Sequence, residues 1–162
     1  MTRLILLLAL FALCGCTTMA AYSGPRRPRE QVAQIVPDRS SWGRAVCVDA
    51  VDGFASDRYY LSFEVLPGPH EIRLSVSERS AVPIYLPPFC GYSGCVARYD
   101  HYGPAVVKIA AQAGRTYDVA MRRLDDGSWS LWIQDEAKRV VGAAQTGPTP
   151  RDTSWEICET KK

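Results

Sequence analysis

R-Y-Y-L-S-F-E-V-L-P-G-P-H-E-I-R-L-S-V-S-E, residues Arg58 to Glu78, decides the fold class of this chain. Tyr59, Leu61, Phe63 and Val65 alternate with Arg58, Tyr60, Ser62 and Glu64. After the L-P-G-P-H turn, Ile72, Leu74 and Val76 alternate with Arg73, Ser75 and Ser77. A period of two puts one set of side chains on a single face of a strand, so both segments read as half-buried β-strands. Pro67 presets φ and Gly68 accepts the positive φ of a type II turn, which predicts an antiparallel hairpin. His70 opens the second strand, where its expected role is packing at the hairpin mouth.

The same period recurs on both sides of this stretch. Upstream, Gln31 to Val36 reads as a short strand ended by Pro37-Asp38, and Ala45 to Val51 as a second, with Val46 and Val48 on one face and Asp52-Gly53 as its turn. Downstream, Val107, Ile109 and Ala111 share a face, Ala113-Gly114-Arg115 turns the chain, and Tyr117, Val119 and Met121 continue the alternation. Asp126-Gly127 is a strong two-residue hairpin signal leading into Trp129, Leu131 and Ile133, and Val140-Val141 forms a last short strand. No stretch keeps helical spacing over three turns. Seven or eight short strands predict an all-β fold, a single antiparallel β-sandwich of the immunoglobulin-like kind over residues 31–162. Between Pro83 and Pro104 the clustered prolines and glycines predict an irregular loop, 83–104.

The N-terminus carries a different signal. Arg3 precedes the apolar run Leu4 to Leu13, which as a helix would be roughly 15 Å long, half of a bilayer core of about 30 Å. The run therefore reads as an export signal rather than a membrane span. Its end, Leu13-Cys14-Gly15-Cys16, resembles the lipobox of bacterial lipoproteins, although Cys14 stands where Ala, Ser or Thr is usual. That resemblance implies a signal peptide over residues 1–15, S-acylation (palmitate) at Cys16, and a mature chain that begins there. Residues 16–30 then form a lipidated tether ending in Gly24-Pro25-Arg26-Arg27-Pro28, whose prolines favour an extended path. Its basic residues read as a solvated segment or as contacts to anionic lipid head groups.

Six cysteines occur in the chain. Without Cys14 and Cys16, four remain: Cys47, Cys90, Cys95 and Cys158. An even number in an exported domain predicts a disulfide framework with three pairings to choose from. The glycine-rich spacing C-G-Y-S-G-C favours Cys90 with Cys95, which leaves Cys47 with Cys158. Zinc is disfavoured because Cys90 and Cys95 lack a second ligand pair and the chain has only two histidines. No cofactor is expected.

Loss of Arg3 leaves 18 basic side chains against 17 acidic, too even a balance to hold nucleic acid. Catalysis is not expected either. Asp100-His101 with Ser93 lacks a G-x-S-x-G elbow, Asp125-Asp126 is better explained as a turn, and phosphate and dinucleotide loops are absent. The stretch best suited to binding is Tyr85 to Tyr102, which carries Tyr85, Phe89, Tyr92, Arg98, Tyr99, His101 and Tyr102. Aromatic and arginine side chains on a stiff loop offer contact area at low ordering cost; alternatively they cover an open end of the fold.

The blocks G-P-R-R-P-R-E-Q-V-A (Gly24 to Ala33), V-D-G (Val51 to Gly53), L-P-G-P-H (Leu66 to His70) and A-G-R-T-Y (Ala113 to Tyr117) resemble a group of small lipoproteins of Gram-negative bacteria. The V-D-G and L-P-G-P-H elements are also similar to PEGA-type modules, small β-sandwich surface domains. The resemblance implies fold and address and supplies no catalytic residues. The expectation is a non-catalytic envelope lipoprotein, lipid-anchored in the outer membrane and facing the periplasm, since Thr17 follows the cysteine where inner-membrane retention usually has Asp. It would serve as an interaction or envelope-assembly component, its partners being the membrane through its lipid and an envelope protein or glycan. The alternative is a glycan, peptidoglycan or small-ligand binding module using residues 85–102.

Overall fold

The computed structural model describes residues 18–38, 43–56, 61–84 and 94–158. Eleven strands make up most of them: β1 (Thr18–Ala20), β2 (Ala33–Pro37), β3 (Arg44–Val51), β4 (Phe54–Ala55), β5 (Ser62–Val65), β6 (Gly68–Ile84), β7 (Gly94–Ala111), β8 (Thr116–Arg123), β9 (Trp129–Gln134), β10 (Val140–Gln145) and β11 (Asp152–Cys158). The chain is all-β, with no α-helix among the described residues. The strands form two sheets, ordered β1-β5-β2-β8-β9-β10 and β11-β7-β6-β3-β4. Pairing is antiparallel except for β1 with β5 and β2 with β8, both in the first sheet, so the first sheet is mixed and the second purely antiparallel.

The hairpin expected at Arg58 to Glu78 does not form. Ser62–Val65 pairs with β1 and β2 in the first sheet, whereas the strand after the turn pairs with β3 and β7 in the second. Gly68, at φ 135°, carries the chain across from one sheet to the other. Ala113-Gly114-Arg115 is a second such crossing, between β7 and β8. Alternation reveals which side chains point inward, and both a hairpin and a crossing satisfy it. Phe63 and Val65 on one strand, and Ile72, Leu74 and Val76 on the next, are all buried as the alternation requires.

Both sheets contribute to one apolar cluster. The first supplies Ala33, Ile35, Phe63, Val65, Tyr117, Val119, Trp129, Leu131 and Ile133; the second supplies Val46, Val48, Val51, Ile72, Leu74, Val76, Val107 and Ile109. Each such Val, Leu, Ile or Phe stabilises the fold by about 1.5–3 kcal/mol when fully removed from water. Strand β10 turns inward at the edge of its sheet and approaches β7 of the other. Gly142 makes that approach close: a Cβ there would lie 2.7 Å from the Lys108 carbonyl oxygen and 2.7 Å from Val107 Cγ1.

Of the irregular loop expected over 83–104, residues 83–84 and 94–104 lie in two long strands, and residues 85–93 are outside the described residues. The ladder between β6 and β7 runs from Val76 opposite Tyr102 to Ile84 opposite Gly94 without a register shift. Pro83 lies within β6. Among the described residues β6 has only β7 beside it beyond Glu78, and a proline is tolerated where a strand needs its N–H on one side only. Nearer the core, β3 is bulged at Asp49 and the β6–β7 ladder shifts at Ser75, and the Ser75 hydroxyl donates to Asp49 Oδ1 at 2.8 Å. Adjacent bulges strengthen the local bend and twist of the second sheet.

Of the segment 16–30 read as a tether, residues 18–30 lie against the first sheet. β1 is paired with β5, Ala21 is buried, and a 3-10 turn at Arg29–Gln31 leads into β2. Arg26 donates to the Thr18 carbonyl and lies 3.7 Å from Glu64, while Arg29 donates to the Thr116 hydroxyl at 2.8 Å. Polar side chains, absent from any periodicity argument, fasten this segment to the first sheet.

The V-D-G and L-P-G-P-H turns meet. Asp52, in the left-handed region at φ 49°, accepts hydrogen bonds from the Glu71 N–H at 2.8 Å and from His70 Nδ1 at 2.5 Å, and the other ring nitrogen of His70 faces the Leu66 carbonyl. His70 thus packs at the turn, as expected, and ties it to the β3–β4 turn. Partial burial pushes the Asp52 carboxyl up, but the Glu71 N–H and then the His70 hydrogen bond and charge outweigh it and hold the group below the usual carboxylate range. A depressed folded-state value means the stabilisation is present above the ordinary carboxylate pKa of about 3.9 and is lost as pH falls through the folded value. Asp52→Asn, which tolerates the same backbone, is expected to lower the urea midpoint at pH 7 and to converge on the parent as pH falls through the depressed folded value. A constant difference across that range would remove Asp52 from the titration.

Candidate functional site

The strand pattern brings five side chains together at one end of the apolar cluster. Arg44 and Glu78 are cross-strand partners on β3 and β6, Tyr102 follows on β7, and Arg123 and Trp129 are partners on β8 and β9. Both sheets therefore contribute. Trp129 is 1% exposed and forms the floor. Tyr102 packs on it with ring centroids 6.0 Å apart, and the guanidinium carbons of Arg44 and Arg123 each lie 5.7 Å from its centroid, within cation–π range. Glu78 holds both cations from the other side: Arg44 Nε donates at 3.1 Å and Arg123 Nη1 at 3.1 and 3.2 Å.

The Tyr102 hydroxyl reaches Glu78 Oε2 at 3.5 Å, and burial, followed by the Glu78 charge, pushes it above its ordinary value against the opposing pull of Arg123. The two arginine side chains remain 48% and 45% exposed, whereas Glu78 is 15% exposed. Two guanidinium groups on one carboxylate leave a net positive charge, oriented and half in water. Such planar donor forks suit carboxylate and phosphate oxygens.

The aromatic stretch singled out from the sequence does not make one surface. Tyr85, Phe89 and Tyr92 lie outside the described residues, as does Cys90. Arg98, Tyr99, His101 and Tyr102 all sit on β7, where alternation sends Arg98 and Tyr102 to one face and Tyr99 and His101 to the other. Tyr102 and His101 are buried, so neither is an exposed contact residue. Arg98 is paired with Asp100 at 2.8 Å, and Asp100 also accepts from the Thr153 hydroxyl at 2.9 Å. Arg79 stacks on Tyr99, its cross-strand partner, at 5.8 Å.

Arg44, Glu78, Arg123 and Trp129 escaped sequence reading because their proximity depends on register across two sheets. The one signal was Trp129 itself, whose alternation with Leu131 and Ile133 marked it as core. A cleft of about 420 Å³ lined by Asp49, Gly53, Ser56, Glu71, Arg73 and Arg151 balances two acids against two bases and favours neither sign of ligand.

Of the cysteines, Cys47 is buried on β3 opposite Ser75, and Cys16 and Cys90 are outside the described residues. Cys158 ends β11, with β7 and β6 between it and β3. Ser75 and Pro83, which mark the levels of Cys47 and Cys158 along β6, are separated by roughly 26 Å of strand. That is far beyond the Cα separation of about 7 Å that a disulfide spans, so this register does not bring Cys47 to Cys158.

No protein-family model matches the chain, and neither the curated proteins nor the solved structures include a match.

Proposed function

We propose that this chain is a lipid-anchored envelope protein, acylated at Cys16 and held in the outer membrane facing the periplasm. Its two sheets act as a PEGA-like β-sandwich module for non-catalytic interaction. The observation that carries the interaction reading is the pair of half-exposed guanidinium groups, Arg44 and Arg123, braced between Glu78 and Trp129. Their chemistry fits an anionic partner: the carboxylates of a protein surface or, on the second reading, of peptidoglycan. The anchor reading rests on Leu13-Cys14-Gly15-Cys16 after its apolar run.

Both halves are tested by fractionation and pull-down of the full chain. Cys16→Ala is expected to move the protein from the membrane fraction to the soluble one. Arg44→Gln with Arg123→Gln is expected to weaken retention on peptidoglycan sacculi, or on the envelope protein captured by the parent, about tenfold per arginine, and added salt should weaken the parent's binding as well. Unchanged fractionation refutes the anchor, and equal retention of the folded double variant refutes the platform.

A further inference from the structure

We infer that Cys95 and Cys158 form a cross-strand disulfide that clasps the C-terminal strand to the middle of the chain. β11 lies against β7 in seven consecutive antiparallel pairs, from Asp152 opposite His101 to Cys158 opposite Cys95, with no register shift. Directly opposed residues in an antiparallel pair have Cα atoms about 4.5–5.5 Å apart, and disulfides span about 4.4–6.8 Å. The rung therefore meets the backbone requirement whichever type of pair it is. A slip of one residue would break it, so the register pinned by the other six pairs is what selects this partner.

The location gives the bond a purpose. Among the described residues β11 is an edge strand whose single ladder partner is β7, and Cys158 is its last residue. Edge strands with one neighbour fray from their ends. A covalent rung at the outermost pair closes that end and removes conformational freedom from the unfolded chain across the 62 residues between the two cysteines. It also assigns Cys95 a different partner from the Cys90 that sequence spacing favours.

Formation is a two-electron oxidation. One cysteine, as thiolate, attacks an oxidising disulfide, either an exported thiol–disulfide oxidoreductase or oxidised glutathione, and forms a mixed disulfide. The second thiolate displaces the carrier. Two S–H bonds are lost, one S–S bond forms, and the oxidant leaves as two thiols carrying the two electrons and two protons.

The test uses the full chain, purified and treated with oxidised glutathione, then alkylated before digestion without reductant. The expected product is a peptide containing Cys158 joined to one containing Cys95, persisting in Cys90→Ser and separating on reduction. Reduction should lower Tm by about 10 °C, and Cys158→Ser should begin at that lower Tm and not respond to reductant. Alkylation of Cys158 before reduction, its linkage to Cys47 or Cys90, or an equal Tm response to reductant in Cys158→Ser would each overturn the assignment.

Discussion

Alanine at position 129 is expected to destabilise the protein by about 3–5 kcal/mol at pH 7, the range for a large aromatic removed from a closed core. Trp129 is 1% exposed, and its loss leaves a void beneath Tyr102 and removes the ring on which Arg44 and Arg123 rest. Phenylalanine should behave differently. The indole Nε1 is buried without a hydrogen-bond partner among the described residues, a situation that costs about 1–3 kcal/mol. Trp129→Phe removes that donor while keeping most of the packing, so its urea midpoint should stay close to the parent's. Equal destabilisation by Ala and Phe would mean that the nitrogen has a partner after all.

The second large effect is expected at Gly142, where valine should cost about 3 kcal/mol, the upper end for overpacking. The first atom beyond its Cα would collide at 2.7 Å with a backbone oxygen of β7, which cannot rotate away as a side chain could. Either β10 lifts off β7 or the edge of the core opens. Gly147 is the control, because a Cβ there meets nothing within 4 Å. Gly147→Ala should leave Tm unchanged or slightly raised, since alanine restricts the unfolded chain. A Gly142 variant that melts with the parent would show that β10 does not seat against β7.

Strand identity was legible wherever two-residue alternation was clean. Ile72, Leu74 and Val76, then Val107 and Ile109, then Trp129, Leu131 and Ile133 all bury the face their spacing assigned. Strand partnership was not. Leu66 to His70 reads as a hairpin turn because the residues that permit a reversal also permit a crossing between sheets, and only the partners of β5 and β6 distinguish the two. Prolines hid the outer half of the β6–β7 ladder, since one-sided pairing is a property of the assembled sheet. The arginine platform was invisible for the same reason: Arg44, Glu78 and Arg123 are scattered charges until register stacks them. Asp52 and His70, by contrast, were marked in the sequence as turn residues, and their contact explains why both turns carry those residues.

The pairing of β1 with β5 has a mechanical meaning for an anchored protein. On the proposed acylation of Cys16, two peptide steps of sequence would lie between the lipid and Thr18, a leash of at most about 7 Å. That is no longer than the screening length of roughly 8 Å at physiological ionic strength. Arg26, bonded to the Thr18 carbonyl, would ride inside the layer where head-group charge is still felt. The molecule would stand directly on the bilayer rather than drift above it. How far it reaches toward a partner would then be set by the rigid dimensions of its sheets.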